Sequence, residues 1–475
     1  MEFIIDSAEK IGVEYAEARL QADLRESIIL KNGILETSVF EESRGIGIRV
    51  LVDGSLGFAS TNTLRKRNIE RALKQAYKIA RSTSRAIKRK ISMGKGEVGS
   101  GKTEVKPRIN FTSVDLDSRV SLLKEADEQI IKAASTYNSD VKVPARMITL
   151  DTWVTSKIIM TSDGANVYSV IPRAALFAII TTFHPQKGSA QRYLNLGEAG
   201  GWEVVERWNL PKIFYDEAYA LSRVLMEAVK PPEGEMDVVL GPEVVGIVSH
   251  ESCGHPSEAD RILGREAAQA GETFLKPDSI GLKVGSPHVN VADDPTLEGS
   301  FGFYLYDEEG VKARRRILIK EGVIHEFLHN RETASVFGVE SNGSSRAVAY
   351  NREPIVRMAN TFFMPGDYTK EEIFEDIKEG IYIKNFMEWN IDDRRFNQRY
   401  VGLEAYRIEN GELKNLVKNP VLEITTTGLW SAVDAAGKDL EFQAAYCGKG
   451  DPMQGIPVWT GGPHIRLRKI RIGGR

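Results

Sequence analysis

Residues 236–255 read MDVVLGPEVVGIVSHESCGH, a stretch that joins a strand to a helix carrying two histidines. The β-branched run Met236–Leu240 predicts a buried strand. Gly241-Pro242 then marks a helix start, because proline suits the first helical turn. Helical spacing puts four side chains on one stripe at i, i+4, i+7 and i+11, and these are Val244, Val248, Glu251 and His255. The two polar members of this stripe are therefore expected to face the protein interior.

The pattern His-Glu-x-x-x-His at residues 250–255 has the residue types of a catalytic zinc site. Neutral histidines ligate zinc, and a carboxylate between them can accept a proton from water that the metal activates. Positions five apart differ by about 140° on a regular helix, which points His250 and His255 apart. Because Gly254 and Pro256 bracket His255, we predict a broken helix end that turns His255 toward His250. The spacing equally fits a helix cap and a hydrogen-bonded core histidine.

A second zinc-type pattern occupies residues 325–329 and reads HEFLH. It follows a predicted hairpin over residues 317–324 and continues the alternation of that hairpin. On a strand the glutamate points away from the face that the two histidines share, so it cannot act as their base. We therefore predict two half-exposed strand histidines, followed by a helix Asn330–Phe337 that ends at Gly338.

A phosphate-loop pattern occupies Gly96–Thr103. Such a loop binds phosphate when a hydrophobic strand leads into it and a helix follows it. Here the basic stretch Lys88–Ser92 precedes the pattern and Pro107 follows it. We predict a linker or exposed loop over residues 92–107 instead of a nucleotide site.

The chain of 475 residues is longer than one hydrophobic core usually sustains. We predict the α+β class, with N-terminal and middle α/β modules followed by a larger mixed, strand-rich C-terminal domain that carries the His-Glu-x-x-x-His motif. The predicted limits are 1–91 for the first module, 108–230 for the second and 231–475 for the third, with the linker between the first two.

Local patterns give an outline of the first two modules. In the first, Glu14–Asp23 predicts a helix, Asn32-Gly33 and Asp53-Gly54 predict tight turns, and Asn68–Arg81 predicts another helix. In the second, Val114–Ser135 predicts a helix. Two alternating segments predict strands of the second module, and these are Met147–Trp153 and Ile171–Phe183.

Composition and charge exclude several classes of function. The net charge of −3 gives no global attraction to nucleic acid or to an anionic membrane. The basic stretches Arg85–Lys95 and Arg466–Arg471 lack interleaved aromatic residues, so we predict no nucleic-acid partner. Residues 1–12 lack the basic and long apolar regions of a signal peptide, so we expect no secretion signal, and the absence of a long apolar run makes us expect no membrane-spanning helix. Two distant cysteines exclude a disulfide framework. We expect a cytoplasmic protein that does not bind membranes.

Around His250–His255 the chain resembles the TldD/PmbA family, the modulator-of-gyrase metallopeptidases, whose active members carry a His-Glu-x-x-x-His motif. The likeness spans nearly the whole chain. Further matching segments are Met358–Thr361 with Pro365-Gly366-Asp367, Gly380–Asn385, and Cys447–Gly450 with Pro457. The chain departs from the family at Pro256–Asp260, where many members have a stretch that contains glycine.

The resemblance implies a zinc site formed by His250, His255 and Cys447, with Glu251 as the catalytic base. Cys447 lies in a glycine-rich segment that lets the backbone bring a thiolate close to a metal, and three protein ligands plus water suit catalytic zinc. Cys253 is the rival third ligand. As a small residue inside a helix, Cys253 is more typical of core packing.

The resemblance also implies a catalytic, TldD-like zinc metallopeptidase that hydrolyses peptides or unfolded protein segments. Active family members enclose their site in a dimer, so a homodimer or a heterodimer with a family paralogue is expected. Two alternatives stay open. One is a non-catalytic partner subunit of a TldD/PmbA-type complex, and the other is a zinc amidohydrolase that acts on non-peptide amides.

Several charged residues have two interpretations. Glu258 and Asp260 either orient a ligand histidine or are solvated charges beyond a helix end. Arg346 and the pair Arg394-Arg395 are candidates for binding a peptide carboxylate. The sequence does not choose between these roles.

Overall fold

The computed structural model describes residues 1–266 and 271–474. The chain is a mixed α+β protein whose C-terminal part is rich in strands, as predicted. One seven-stranded sheet takes in the N-terminal and middle modules, and sheets of six and nine strands form most of the C-terminal part. None of the described helices is long and apolar enough to cross a membrane.

The first sheet consists mainly of long antiparallel strands. Its strands are β1 (Tyr15–Lys31), β2 (Ile34–Val52), β3 (Ser55–Thr61), β4 (Ser100–Glu104), β5 (Lys142–Thr161), β6 (Asn166–His184) and β7 (Gly188–Ala199). Their order is β3-β2-β1-β5-β6-β4, and β7 pairs with another stretch of β6. Because β1 lies next to β5, the two predicted modules share one sheet.

The predicted tight turns join the first three strands. Asn32-Gly33 connects β1 to β2, and Asp53-Gly54 connects β2 to β3. All four residues have positive φ, between +47° and +77°. This conformation matches the right-handed twist of the flanking strands, which explains the preference for Asn-Gly and Asp-Gly.

The predicted helix Glu14–Asp23 is wrong, because this segment forms the first half of β1. Ala16 and Arg19 are buried on opposite faces of the sheet. Arg19 donates to Glu308 of the C-terminal part at 3.1 Å. Pairing with β2 and β5 on both sides, together with this distant ion pair, overrides the local helix preference of glutamate, alanine and arginine.

Five helices pack on one face of the first sheet. They are α1 (Glu2–Lys10), α2 (Lys66–Thr83), α3 (Leu116–Tyr137), α4 (Trp202–Trp208) and α5 (Leu210–Glu227). The predicted helices Asn68–Arg81 and Val114–Ser135 are confirmed as α2 and α3, and the predicted strands of the second module lie inside β5 and β6. Alternate residues of β5 and β6 point to the other face, toward the C-terminal part.

The segment predicted as a linker, residues 92–107, contains β4, so this part of the prediction is wrong. β4 pairs in parallel with Asn166–Val170 of β6, and the Gly94 N–H donates to the Arg331 carbonyl at 2.8 Å. These backbone hydrogen bonds to distant partners order a stretch that has no apolar period of its own. The second half of the phosphate-loop pattern is therefore a strand. The limits of the three units stay a prediction.

The C-terminal part contains two large sheets and a two-stranded one. The six-stranded sheet has β9 (Val291–Asp293), β10 (Arg316–Lys320), β11 (Val323–Ile324), β14 (Asn360–Phe363), β22 (Glu441–Lys449) and β23 (Gln454–Gly462). The nine-stranded sheet has β8 (Gly234–Leu240), β15 (Glu379–Ile383), β16 (Phe386–Ile391), β17 (Asn397–Gly402), β18 (Ala405–Glu409), β19 (Glu412–Leu416), β20 (Pro420–Thr425), β21 (Val433–Ala436) and β24 (Ile465–Gly474). The small sheet pairs β12 (Ser345–Arg346) with β13 (Ile355–Val356).

Five short α-helices lie beside these sheets in the part of the chain that the structure describes. They are α6 (Pro242–Ser249), α7 (Ala259–Ile262), α8 (Arg331–Phe337), α9 (Lys370–Glu375) and α10 (Thr426–Ala432). α8 follows the sequence prediction. The Asn330 side chain caps it by accepting from the Thr333 N–H at 2.9 Å, and Gly338 ends it with a φ of +68°.

One hydrophobic core contains residues of both large C-terminal sheets and of α6. Strand β8 leads through Gly241 into α6, which confirms the strand and helix start predicted from residues 236–242. α6 packs on β14, β22 and β23. The end of α6 therefore lies beside β22, the edge strand that carries Cys447.

Candidate metal centre

The two motif histidines lie on a turn that is wider than an α-helical turn. α6 ends at Ser249, and His250–Gly254 form a π-helical turn in which the His255 N–H donates to the His250 carbonyl. This bond places residues five apart one turn from each other, and the ring centroids lie 4.9 Å apart. The prediction of a broken helix is wrong, because His255 keeps helical φ and ψ of −58° and −44°. The extra residue in the turn brings the histidines together.

Close packing explains the glycine in this turn. A Cβ atom on Gly254 would overlap the Met358 side chain and lie 3.2 Å from the Thr361 hydroxyl oxygen. The φ of Gly254 is −58°, which any residue adopts in a helix. The absence of a side chain, and not backbone freedom, is therefore what this position requires.

Cys447 reaches the histidines from a distant part of the chain. Its Sγ lies 3.4 Å from His255 Nε2. One potential ligand atom from each of His250, His255 and Cys447 lies within 4.8 Å of the others, and all three side chains are buried. The structure thus brings together the three residues that the sequence predicts as ligands.

A buried carboxylate orients one of the histidines. Glu258 Oε2 lies 2.9 Å from His255 Nδ1 and 3.4 Å from Lys449 Nζ. A hydrogen bond at Nδ1 leaves Nε2, the nitrogen facing Cys447, for a metal. Asp260 pairs with Lys449 at 2.7 Å instead of contacting the histidine. Of the two carboxylates considered from the sequence, Glu258 has the orienting position.

Burial and nearby charges set the protonation of the cluster. Burial lowers the pKa of His250 and holds the pKa of His255 well below its usual value. Burial alone would raise the pKa of Cys447, but His255 and Arg357 outweigh it and lower that pKa to about 6. The lowered pKa values of the histidines and of the thiol favour neutral imidazoles and a thiolate, which are the forms that bind metals.

Glu251 is buried beside the cluster and forms an ion pair with Arg395. Burial raises the pKa of Glu251, while Arg395 and His250 oppose the rise. Arg395 has a φ of +58°, and its carbonyl accepts from the Thr426 hydroxyl at 2.8 Å. Such left-handed backbone is uncommon outside glycine. The turn thus holds the Arg395 side chain on Glu251, whereas Arg394 is exposed.

The rival cysteine belongs to the hydrophobic core. Cys253 is 2% exposed and packs with the apolar residues between the two C-terminal sheets. Burial raises the pKa of its thiol far above the usual value, so it stays protonated. Among the described residues, the group with metal-ligand spacing contains Cys447 and not Cys253.

The donor set of the cluster fits zinc. Two imidazoles and a thiolate are ligands that zinc prefers, and three protein ligands leave a fourth position open, as in catalytic sites. His250 Nδ1 is buried and has no hydrogen-bond partner among residues 1–266 and 271–474. Burying a polar atom without a hydrogen-bond partner is unfavourable in free energy. A metal ion bound to the cluster would offset this cost electrostatically.

The cluster lines a cleft of about 670 Å³ between the first sheet and the C-terminal part. This volume is in the usual range for ligand pockets. β7 contributes Tyr193 and Asn195, β16 contributes Phe386–Trp389, and β22 contributes Gln443–Gly448. β22 ends its sheet, so one of its edges pairs with no strand in the described part of the chain.

The structure separates the two histidines of the HEFLH pattern. His325 is exposed, whereas His329 is buried with Nδ1 3.2 Å from the Thr333 hydroxyl oxygen. Burial lowers the pKa of His329 to about 4. The prediction of two half-exposed strand histidines is wrong, because the chain leaves the strand after Ile324 and turns into α8.

Two cationic residues that border the cluster, Arg357 and Lys449, were not predicted from the sequence. Arg357 donates to the backbone carbonyls of Cys447 and Gln454. Lys449 donates to the Val356 carbonyl at 2.7 Å in addition to its contacts with carboxylates. Neither residue has a local pattern that distinguishes it from a surface charge. Only the position of Lys449 two residues after Cys447 was a signal.

Three family models of PmbA/TldA metallopeptidase domains match the chain. The model of domain 1 matches residues 16–80, that of the central domain matches 109–229, and that of the C-terminal domain matches 233–474. Together they span most of the sequence in the order that the fold shows.

Individual relatives agree with these models. A metalloprotease of Methanocaldococcus jannaschii is 32% identical over 457 residues, which cover 95% of this chain and 96% of the relative. A zinc metalloprotease TldD homolog of Saccharolobus solfataricus is 33% identical over 245 residues, 51% of this chain and 53% of the relative. The crystal structure of TldE from Thermococcus kodakarensis matches with a TM-score of 0.76 at 18% identity and covers 100% of both chains. At 18% identity this structural similarity shows that the two chains share a fold.

Proposed function

The chain belongs to the PmbA/TldA metallopeptidase family, and from that premise we propose that it is a zinc-dependent peptidase acting on peptides or unfolded protein segments. One observation carries the proposal. His250, His255 and Cys447 converge with ligand atoms within 4.8 Å of one another, beside the buried carboxylate of Glu251. The name of the Saccharolobus solfataricus relative, a zinc metalloprotease, supports the choice of metal.

His250, His255 and Cys447 are the proposed zinc ligands. Zinc, when bound, would supply Lewis acidity to the scissile carbonyl and to water. Glu258 keeps the His255 ring in one orientation by accepting from Nδ1 at 2.9 Å. Arg357 places a positive charge near the Cys447 thiolate, which favours the ligating form of the sulfur.

Glu251 is the proposed general base. Its carboxylate accepts a proton from the attacking water and passes it to the leaving amine. Burial raises the pKa of Glu251 and so makes the carboxylate a stronger proton acceptor. Arg395 keeps that carboxylate ionised and fixes its direction through the ion pair.

The shape of the cleft supports an extended substrate. Among residues 1–266 and 271–474 one edge of β22 pairs with no strand, and β22 lines the cleft. A peptide backbone can add there as a further strand without a fixed side-chain sequence. Cys447 lies on β22, so a peptide paired to this strand passes the cluster. Folded domains offer few free extended segments, which favours peptides and unfolded chains as substrates.

Metal analysis and hydrolysis assays test the proposal. The purified chain is expected to hold stoichiometric zinc and to hydrolyse short peptides or an unfolded protein. A chelator should abolish this activity, and added zinc should restore it. Glu251→Gln should keep zinc but lose at least about 100-fold in turnover, the usual size for a general base.

Matched cysteine variants test the ligand assignment. Cys447→Ala should lose zinc, whereas Cys253→Ala should retain it, because only Cys447 lies in the cluster. Full zinc content in Cys447→Ala, or normal peptidase activity in Glu251→Gln, would contradict the proposal.

The same assays separate the two alternative functions. A chain that lacks zinc and activity alone, but supports peptidase activity in a family paralogue, would be a partner subunit. A zinc-containing chain that hydrolyses small non-peptide amides and no peptide would be an amidohydrolase.

A further inference from the structure

A second cleft lies on the same face of the first sheet as the candidate metal centre. It has a volume of about 270 Å³, with β1, β5 and β6 on one side and residues 303–308 and 345–348 on the other. A contact among Ala175, Phe301 and Ala444 separates the two clefts. Tyr446 lines both of them, and it precedes the proposed ligand Cys447 in β22. The two clefts therefore share Tyr446 as a lining residue.

Two buried guanidinium groups line the second cleft. Arg173, on β6, donates to the carbonyls of Phe301 and Phe303 at 2.9 and 2.8 Å. Arg346, on β12, donates to two other backbone carbonyls at 2.6 and 3.0 Å. Arg173 is 7% exposed and Arg346 is 8% exposed. Within the part of the chain that the structure describes, neither group forms an ion pair with a carboxylate.

Among the described residues neither guanidinium of this pair has a carboxylate in direct contact, which is unfavourable for a buried charge without a counter-ion. Burial and, to a smaller extent, the charge of Arg346 lower the pKa of Arg173 to about 9. Burial lowers the pKa of Arg346 to about 10. Buried charges are normally paired, because removing an ion from water without a partner is unfavourable. An anion that enters the cleft would offset this cost.

The acidic side chains of the cleft are engaged elsewhere. Glu308 pairs with Arg19 and Lys157, Asp307 accepts from three backbone N–H groups, and Asp23 accepts from Gln21 and Thr155. Glu41 is exposed at the rim. Two carbonyl acceptors use only part of the five N–H donors on each guanidinium, so the two arginines retain donors for a ligand.

Trp153 gives the cleft an aromatic wall beside Arg173. The two residues are cross-strand partners on β5 and β6. On the β1 side of Trp153, the Arg25 guanidinium lies 5.5 Å from the centre of the Trp153 ring and forms an ion pair with Asp151. An apolar surface next to a cationic pair suits a group that has a carbon chain and a carboxylate.

We propose that the second cleft binds a carboxylate of the peptide substrate through Arg173 and Arg346, with the peptide running past Tyr446 from the metal centre. The inference rests on the proposed peptidase function, because it places one end of the substrate. The carboxylate comes either from the peptide C-terminus or from an aspartate or glutamate side chain. Both sources present the same planar anion to a guanidinium.

A binding experiment that does not depend on hydrolysis tests this proposal. The full chain carrying Glu251→Gln keeps the peptides intact during titration. Three probes of equal length are compared: a peptide with a free C-terminal acid, its C-terminal amide, and the amide with one internal glutamate. Quenching of Trp153 reports occupancy of the cleft, and Trp153→Phe identifies this signal among the six tryptophans.

The acid is expected to bind about tenfold more tightly than the plain amide, as for a hydrogen bond to a charged group. If the glutamate-containing amide matches the acid, the side chain is an accepted source of the carboxylate. Arg173→Gln and Arg346→Gln should each remove the preference and leave amide affinity unchanged. Equal affinity of all three probes would overturn the proposal.

A rim position gives a second test that does not disturb the buried arginines. Val348 lines the cleft and is 39% exposed, so both Val348→Glu and Val348→Gln should fold. The added negative charge should weaken acid binding about fivefold relative to the glutamine variant and should not affect the amide. Equal acid binding by the two variants would overturn the proposal.

The results also distinguish the proposed function from this inference. A chain that hydrolyses peptides but binds acid and amide equally would keep the peptidase assignment and reject the carboxylate site. A chain that prefers the acid but hydrolyses no peptide would keep the carboxylate site and reject the peptidase assignment.

Discussion

At the scale of single residues, the candidate site depends on cations that face its anionic groups. Arg395 forms an ion pair with Glu251, and Arg357 lies near Cys447 and donates to its carbonyl. Both acidic groups are buried, and burial favours their neutral forms. The two arginines favour the ionised forms, which the proposed base catalysis and metal binding require.

Arg395→Gln should move the acidic limb of the pH–activity profile to higher pH. Glu251 must be ionised to accept a proton, and loss of Arg395 removes the charge that opposes the effect of burial on its pKa. The measurement is kcat/KM against pH for both proteins, with zinc content determined in parallel. Arg394→Gln is the matched control, because Arg394 is exposed. An unchanged acidic limb in Arg395→Gln would rule out this role.

Cys447→Ser should make the stability of the metal-free chain less dependent on pH. The folded structure lowers the thiol pKa from 9.0 to about 6. The resulting stabilisation is complete above pH 9, declines as the pH falls toward 6 and amounts to at most about 4 kcal/mol. Thermal unfolding between pH 6 and 9, with chelator present, should show a rise in midpoint for the parent that is smaller in the variant. The same slope in both would mean that other groups cause it.

At the scale of secondary-structure elements, the π-helical turn determines which way the histidines point. A regular α-helix would direct His250 and His255 about 140° apart. The i+5 to i hydrogen bond changes this geometry by adding one residue to the turn. The turn contacts β10 and β14 of the six-stranded sheet, and its Gly254 packs closely on the Met358 side chain.

Gly254→Ala should distort this turn and reduce zinc content. The new methyl group would overlap Met358, and overpacking of a core typically costs about 1–3 kcal/mol. The checks are metal analysis and the thermal midpoint. Gly473→Ala is a control on a strand, because its added Cβ has no atom of the described residues within 4 Å apart from its chain neighbours. Adding Met358→Ala should restore zinc to the Gly254→Ala protein, and failure to do so would refute the steric explanation.

At the scale of the whole molecule, the clefts lie between the first sheet and the C-terminal part. Buried ion pairs link these parts, including Arg19 with Glu308 and Arg49 with Glu309. Breaking such a pair by removing one partner leaves a buried charge uncompensated. These links keep the walls of both clefts in a fixed relation.

The first half of β2 is an exposed sheet edge. Residues 34–44 pair with β1 but not with β3, and Ile34 and Phe40 are 71% and 67% exposed. A long unpaired edge with apolar residues is a template for another chain. We propose that a second copy, or a family paralogue, covers this edge in a dimer.

Phe40→Lys should weaken this dimer by at least about tenfold, because one charge would enter an apolar contact. Light scattering across a concentration series measures the change in dissociation constant. Leu413→Lys is the control, since Leu413 is an exposed apolar residue on β19 in another sheet. Equal dissociation constants for the two variants would show that β2 is not the interface.

The sequence by itself determined those features of the protein whose formation depends on residues close together along the chain. Met236–Leu240 and the proline that follows predict the strand and helix leading to the site, and Asn32-Gly33 predicts a turn, because their information is local. His250, Glu251 and His255 were identifiable from residue type and from the family resemblance.

Only the tertiary structure decided the remaining features. Glu14–Asp23 became a strand because two distant strands pair with it, and Ser100–Glu104 became a strand through hydrogen bonds to β6. The meeting of Cys447 with the histidines, and of Arg395 with Glu251, joins segments more than 140 residues apart. A short stretch of sequence carries no information on such contacts. The free energy that stabilises these contacts comes from burial and strand pairing, which exist only after the sheets have packed.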